Sequence, residues 1–306
     1  MGGTLSYPIR SMLLEREGNN HYRVGKTDMQ GYRESMEDAM TVLLGMGKGR
    51  ENWAFLGVFD GHAGKKASAF LGEKLHSHIC ALEDPFDAAQ LQECVCKFDA
   101  LFCSDPSRRD DGSTCVFAIL RPADEACTHY EIVVSNTGDS RVVIIRKDSG
   151  TVVTMTSDHK PQDPPEAERI YAAGGMVAMN RTDGQLAMSR AIGDFMYKSN
   201  ADLPQHKQKV IPTPDITYEK VQPGDLVLVM CDGIVEQMSN EDAGARVVES
   251  MKDHDDPAQA VADLFAYSLE RGSKDNHSAI ICVVEDGTGY VRPSQFVAGP
   301  YHPFKG

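Results

Sequence analysis

The sequence is short of positive charge. Lys and Arg total 31 against 45 Asp and Glu, giving a net charge of −14 with His neutral. Phosphate backbones attract basic patches, so this balance argues against nucleic acid as a partner. Also missing is any apolar stretch long enough to span a bilayer, or the apolar core of a secretory leader. The eight Cys are scattered, with no C-x-x-C pair, and Cys115, Cys231 and Cys282 sit in apolar, strand-like runs as small hydrophobes. A reducing intracellular compartment is therefore expected: cytoplasmic, with membrane-associated or nuclear residence as variants. No internal repeat or low-complexity block stands out.

What is present is ordinary in bulk and unusual in detail. Hydrophobic content of 41% and charged content of 25% suit a globular fold with its own core. At 306 residues the length suggests about two domains, although one large β-sandwich can hold as many. The detail lies in two apolar runs that end alike. Residues 53–59 stop at Asp60-Gly61, and residues 225–231 stop at Asp232-Gly233. A buried strand that stops at a carboxylate presents an anion at the sheet edge. The glycine is expected to let the chain turn and to leave its carbonyl open. Two such ends side by side would cage hard divalent cations, which favour oxygen ligands.

Residues 1–21 read as an N-terminal arm leading into a unit over 22–286, followed by a tail over 287–306. Helices are expected from Ala63 to about Leu82, and from Asp87 onward with Leu91, Val95, Phe98 and Phe102 on one stripe. Residues 130–135 and 141–146 read as a hairpin joined at Asn136-Thr137-Gly138-Asp139-Ser140. Asp163-Pro164-Pro165-Glu166 reads as an N-cap, a first-turn proline and a capping-box acid. Residues 176–215 have little periodicity and read as an irregular, flap-like excursion near the site. Helices in consecutive pairs favour an α+β layered architecture over a doubly wound sheet. The first six residues fit the N-myristoylation pattern, with Gly2 as acceptor and Ser6 at the sixth position. One acyl chain gives only weak, reversible membrane association.

Further acids stand in turn-like contexts: Glu37-Asp38 after Arg33, then Asp139, Asp194 and Asp275-Asn276. Each alone suits a turn. Jointly, eight ordered segments from about residue 23 to 285 resemble the protein phosphatase 2C family of metal-dependent serine/threonine phosphatases. They are Arg33 with Met36-Glu37-Asp38, residues 58–64, residues 111–114, residues 138–141, residues 158–161, residues 189–194, residues 231–233 and residues 274–276.

The resemblance implies a central β-sandwich of two mainly antiparallel sheets flanked by pairs of helices, with two Mn²⁺ or Mg²⁺ ions at one end. Asp60 would bridge both metals, with Glu37, Asp232, Asp275 and the Gly61 carbonyl completing the ligands and Asp38 and Asn276 supporting them. A metal-bridging hydroxide would attack phosphoserine or phosphothreonine in line, with no phospho-enzyme. Arg33 would hold the phosphate, and His62 would protonate the leaving oxygen. A third, weaker ion is implied at Asp139 and Glu236. There the family commonly has Trp-Asp and this chain has Val235-Glu236. Phosphoprotein substrates and a monomeric state are expected. Asp111 departs from the family's usual small residue, with no derivable consequence.

Other chemistries read poorly. Cys103 to Arg109 has the Cys-x5-Arg spacing of a thiol phosphatase, but its loop holds Asp105 and Pro106 and no glycine. Cys115 to Arg121 runs through an apolar strand. Residues 45–49 superficially resemble a nucleotide loop but lack the upstream glycine and a Ser or Thr after Lys48. A catalytically dead scaffold that only binds phosphoproteins should have lost the metal carboxylates, and all four remain.

Overall fold

A computed structural model describes residues 4–47, 49–108 and 110–289, and the backbone of 295–300. Gly2, Lys48 and Arg109 lie outside the described residues. The chain begins with strands β1 (Thr4–Ile9), β2 (Leu13–Gly18), β3 (Tyr22–Met29), β4 (Gly31–Arg33), β5 (Ala39–Leu44), β6 (Ala54–Phe59) and β7 (Gly61–His62). Helices α1 (Lys66–Cys80) and α2 (Ala88–Cys103) follow, then β8 (Gly112–Ser113), β9 (Cys115–Pro122), β10 (Tyr130–Thr137), β11 (Arg141–Ile145) and β12 (Val152–Thr154). Helix α3 (Pro164–Ala172) precedes β13 (Val177–Ala178), β14 (Arg181–Thr182), β15 (Ile192–Gly193), β16 (Asp215–Val221) and β17 (Leu226–Met230). The chain continues through α4 (Asp232–Val235), α5 (Asn240–His254), α6 (Pro257–Glu270), β18 (His277–Val284) and β19 (Gln295–Pro300).

Two antiparallel sheets dominate. One has the order β16-β10-β9-β6-β5, the other β12-β11-β17-β18-β3-β2-β19. Their facing side chains form one core, which includes Leu56, Val58, Val116 and Ile132 from the first and Val227, Val229 and Ile280 from the second. Phe55, Phe59 and Phe117 point the other way, onto Phe70, Leu75 and Phe98 of α1 and α2. Helices α5 and α6 cover the outer face of the seven-stranded sheet. Both faces of β6 and β17 are thus covered, which is why these strands are apolar throughout rather than alternating. The α-β-β-α layering agrees with the expected α+β sandwich.

The expected helix start at Asp87 held. Asp87 caps α2 by accepting from Gln90 N. Ser239 and Asp242 form a capping box on α5. The segment read as an arm contributes β1, which pairs with β4, and β2, which pairs with β3.

Two readings are corrected. Residues 130–146 are not a hairpin: β10 pairs with β9 and β16, whereas β11 pairs with β12 and β17 in the opposite sheet. Residues 136–140 therefore carry the chain across the sandwich. Glu166 is not a capping acid. It is buried and accepts from Ser189, Arg169 and Arg190, with Nη2 of each arginine 2.7 Å away. Charged donors outcompete a single backbone N–H.

Candidate active site

The two Asp-Gly ends come from opposite sheets and meet. Asp60 follows β6, and Asp232 opens α4 immediately after β17 and Cys231. Their carboxyls are close enough for the charge of Asp60 to act on Asp232. The Asp60 carboxyl is pushed well above the usual carboxylate range, by burial first and then by the charges of Asp38, Asp275 and Asp139. Asp232 is pushed up likewise, by burial and then by Asp60, Asp139, Asp275 and Glu236. Carboxylates this crowded cannot all ionise unless cations join them.

The glycines do a different job from the one expected. Neither Gly61 nor Gly233 has a positive φ. A Cβ on Gly61 would lie 2.2 Å from the Glu37 carbonyl oxygen, and one on Gly233 2.0 Å from that of Asn276. Glycine is needed so that the acid-bearing loops can touch.

Those loops are stitched by Asn276. Its Oδ1 accepts from Glu37 N at 3.0 Å, while Nδ2 donates to the Gln30 and Ser35 carbonyls at 2.8 and 3.0 Å. Ser68 Oγ donates to the Glu37 carbonyl, and Glu37 Oε2 accepts from Gly64 N at 3.2 Å. Asp38 Oδ2 accepts from Ser278 Oγ at 2.7 Å, while Oδ1 is buried without a partner. Burial, reinforced by Asp275 and Asp232, raises the Asp38 carboxyl to about 7. Arg33 sits at the end of β4, 41% exposed, and its Nη2 donates to Asp275 Oδ2.

His62 lies in the three-stranded sheet β15-β8-β7. Its Nε2 is 2.7 Å from Asp194 Oδ2, and its buried Nδ1 has no partner. Burial alone would lower the imidazole pKa. The Asp194 charge and hydrogen bond, helped by Asp139 and Glu37, outweigh burial and raise it. Sequence reading missed this role for Asp194. It also missed Lys160, whose Nζ lies 2.6 Å from Asp139 Oδ2. Asp139 is 2% exposed and its Oδ1 is unpartnered. Glu236 is exposed at the end of α4, with its carboxyl raised by partial burial and by Asp275 and Asp139.

The structure thus brings Arg33, Glu37, Asp38, Asp60, Gly61, His62, Asp139, Asp232, Glu236, Asp275 and Asn276 to one end of the sandwich. Among the described residues, no three His, Cys, Asp or Glu side chains are already closed upon a single ion position. Asp275 is taken by Arg33 and Asp139 by Lys160. The donor set nevertheless fits hard divalent ions: all oxygen, crowded with like charge, and with buried oxygens of Asp38 and Asp139 left over. The thiol alternative loses ground, because burial, then the Asp99 charge, pushes Cys103 up to about 12, too high for a ready thiolate.

Known proteins resemble this chain in sequence and in fold. The family model for protein phosphatase 2C matches residues 22–277. A probable protein phosphatase 2C of Caenorhabditis elegans is 35% identical over 276 residues, covering 88% of this chain and 74% of its own. Protein phosphatase 1B of Mus musculus is 34% identical over 303 residues, covering 92% and 75%. The crystal structure of a phosphatase from a pathogenic strain of Toxoplasma gondii superposes with a TM-score of 0.81 at 25% identity, covering 95% of this chain and 98% of that one. An acid-lined cleft at the end of this sandwich defines a metal-dependent phosphatase fold. The chain belongs to the protein phosphatase 2C family, and it is a protein serine/threonine phosphatase that depends on metal, Mn²⁺ or Mg²⁺ in this family generally.

Proposed function

We propose that this chain hydrolyses phosphoserine and phosphothreonine in proteins by direct attack of water, without a phospho-enzyme, at the cleft between Asp60 and Asp232. The observation that carries the reading is the meeting of these two strand-end carboxyls from opposite sheets, raised by mutual charge and burial. Glu37, Asp60, the Gly61 carbonyl, Asp232 and Asp275 would hold two Mn²⁺ or Mg²⁺ ions. Such ions, when bound, acidify water so that it attacks phosphorus at neutral pH.

The chain's own groups do the rest. Arg33, half exposed beside the acids, grips phosphate oxygens bidentately and holds the phosphorus for in-line attack. Asp194 accepts from Nε2–H of His62 and favours its protonated ring. The ring then passes a proton to the departing seryl or threonyl oxygen and regains one from water. Lys160 Nζ keeps Asp139 engaged, so Asp139 and Glu236 would hold a third ion only in competition with that ammonium.

The test is phosphate release from phosphoserine, phosphothreonine and phosphotyrosine peptides with Mn²⁺, Mg²⁺ or chelator. Release from the first two that needs metal is expected. Activity that survives chelation would refute the reading. His62→Gln should slow alkyl phosphate esters at least 10-fold more than activated aryl esters, a fraction of the roughly 10²–10⁴ that a general acid contributes. Equal losses would remove the proton-donor role.

A further inference from the structure

Asp99 lies on the buried face of α2, outside the carboxylate cleft, and is 1% exposed. Its Oδ1 accepts from Gly193 N at 2.8 Å and from Lys198 Nζ at 2.6 Å, and Oδ2 accepts from Gln205 Nε2 at 3.1 Å. Lys198 Nζ also donates to the Ala191 carbonyl at 2.7 Å. One buried ion pair therefore grips residues 191–193 from both sides. The next residue is Asp194, the partner of His62.

Asp194 itself has little freedom to reach that partner. It is left-handed at φ 52°, and its N–H donates to the Asp111 carbonyl at 3.1 Å. Its side chain passes across β8 to His62 on β7, the far strand of the same small sheet. The crossing exists only because residue 112 is glycine. A Cβ there would stand 2.2 Å from His62 Nε2 and 2.4 Å from Asp194 Oδ2. A shift of a few tenths of an ångström at residue 193 must move the carboxylate that holds the imidazole.

We propose that Asp99, together with Lys198, is a positioning pair for the His62–Asp194 couple. It acts through the Gly193 amide to hold the proton-donating ring in register with the substrate. Fully buried ion pairs add little net stability over apolar packing, so their contribution here is geometric. The inference rests on the proposed acid role of His62, and its test separates the two.

Kinetics are compared for wild type, Asp99→Asn, His62→Gln and the combined variant, on a phosphothreonine peptide and on p-nitrophenyl phosphate. Asp99→Asn is expected to lower kcat for the peptide about 10-fold with KM little changed, and to lower aryl turnover less than about 3-fold. In the combined variant the Asp99 change should cost nothing beyond His62→Gln, because the ring it positions is gone. Equal losses on both esters, or multiplied losses in the combined variant, would overturn the proposal. If Asp99→Asn leaves Lys198 stranded and the fold fails, Asp99→Asn with Lys198→Gln removes both charges and carries the same expectations.

A second readout does not depend on catalysis. In ¹⁵N-histidine-labelled protein, the Nε2–H proton of His62 should shift upfield and exchange faster with water in Asp99→Asn. If His62→Gln slows both esters equally, the acid role falls, and this signal alone judges the positioning. An unmoved signal sinks it, and a moved one sustains it.

Discussion

Acids of two kinds are buried within this protein, and they differ in company rather than depth. Glu166 accepts from Arg169, Arg190 and Ser189, and Asp99 from Lys198, Gly193 and Gln205. Burial alone would raise Glu166, but its three donors hold it at about 2. Asp38, Asp60 and Asp232 have mainly each other, and burial with mutual charge raises all three. Satisfied acids fasten the 176–215 excursion to the sandwich. Acids left in conflict mark the place where a cation is wanted, and the contrast separates scaffold from site without reference to any relative.

That contrast can be broken most forcefully at the cleft. Asp60→Asn or Asp232→Asn should cost about 10³-fold or more in phosphate release, since metal activation of water and phosphate is worth several kcal/mol. The same variants should melt no lower than wild type in chelator, and should lose the rise in Tm that Mn²⁺ gives wild type. A lower melting temperature in chelator would place these acids with the scaffold. At the other pole, Glu166→Gln leaves two arginines uncompensated and should destabilise the fold by about 3 kcal/mol, read from the urea midpoint.

Acid titration sharpens the same pair. The Glu166 carboxyl falls from an ordinary 4.5 to about 2 on folding. Its contribution is complete above pH 4.5 and is lost as pH falls towards 2. Urea midpoints measured from pH 6 to 3 should therefore show the gap between wild type and Glu166→Gln closing below about 4.5. A constant gap would mean that Glu166 acts through shape alone. The smallest effect is expected at Asp111, a buried acid on the border between the two kinds. Its Oδ2 accepts from Lys66 N at 3.0 Å, at the start of α1, whose own N-cap Lys65 makes no side-chain cap. Asp111→Ala should cost about 1 kcal/mol of stability, like other lost caps, and leave the Mn²⁺ requirement unchanged.

Legibility followed the range of the interaction. The ends at Asp60 and Asp232 could be read because an apolar run, an acid and a glycine are contiguous. The cap at Asp87 was equally local. The 130–146 segment was misread because a turn between two strands looks alike whether the strands pair with each other or part company. What decides is capture of β11 by β12 and β17, and β17 lies some 80 residues on. Glu166 satisfied a capping pattern four residues long until Arg190 claimed it. Asp194 read as a turn acid, which its left-handed backbone bears out, but its partner is 132 residues away. Asp99 could have been noticed: it follows Val95 by four residues, on the same stripe as Leu91 and Phe102, and a charge on a buried stripe asks for a partner.

Strand β1 pairs with β4 so that Thr4 lies opposite Arg33. Residue 4 is therefore carried at the mouth of the cleft, beside the guanidinium proposed to grip phosphate. A fluorophore or spin label on a Thr4→Cys variant would report on phosphopeptide arrival.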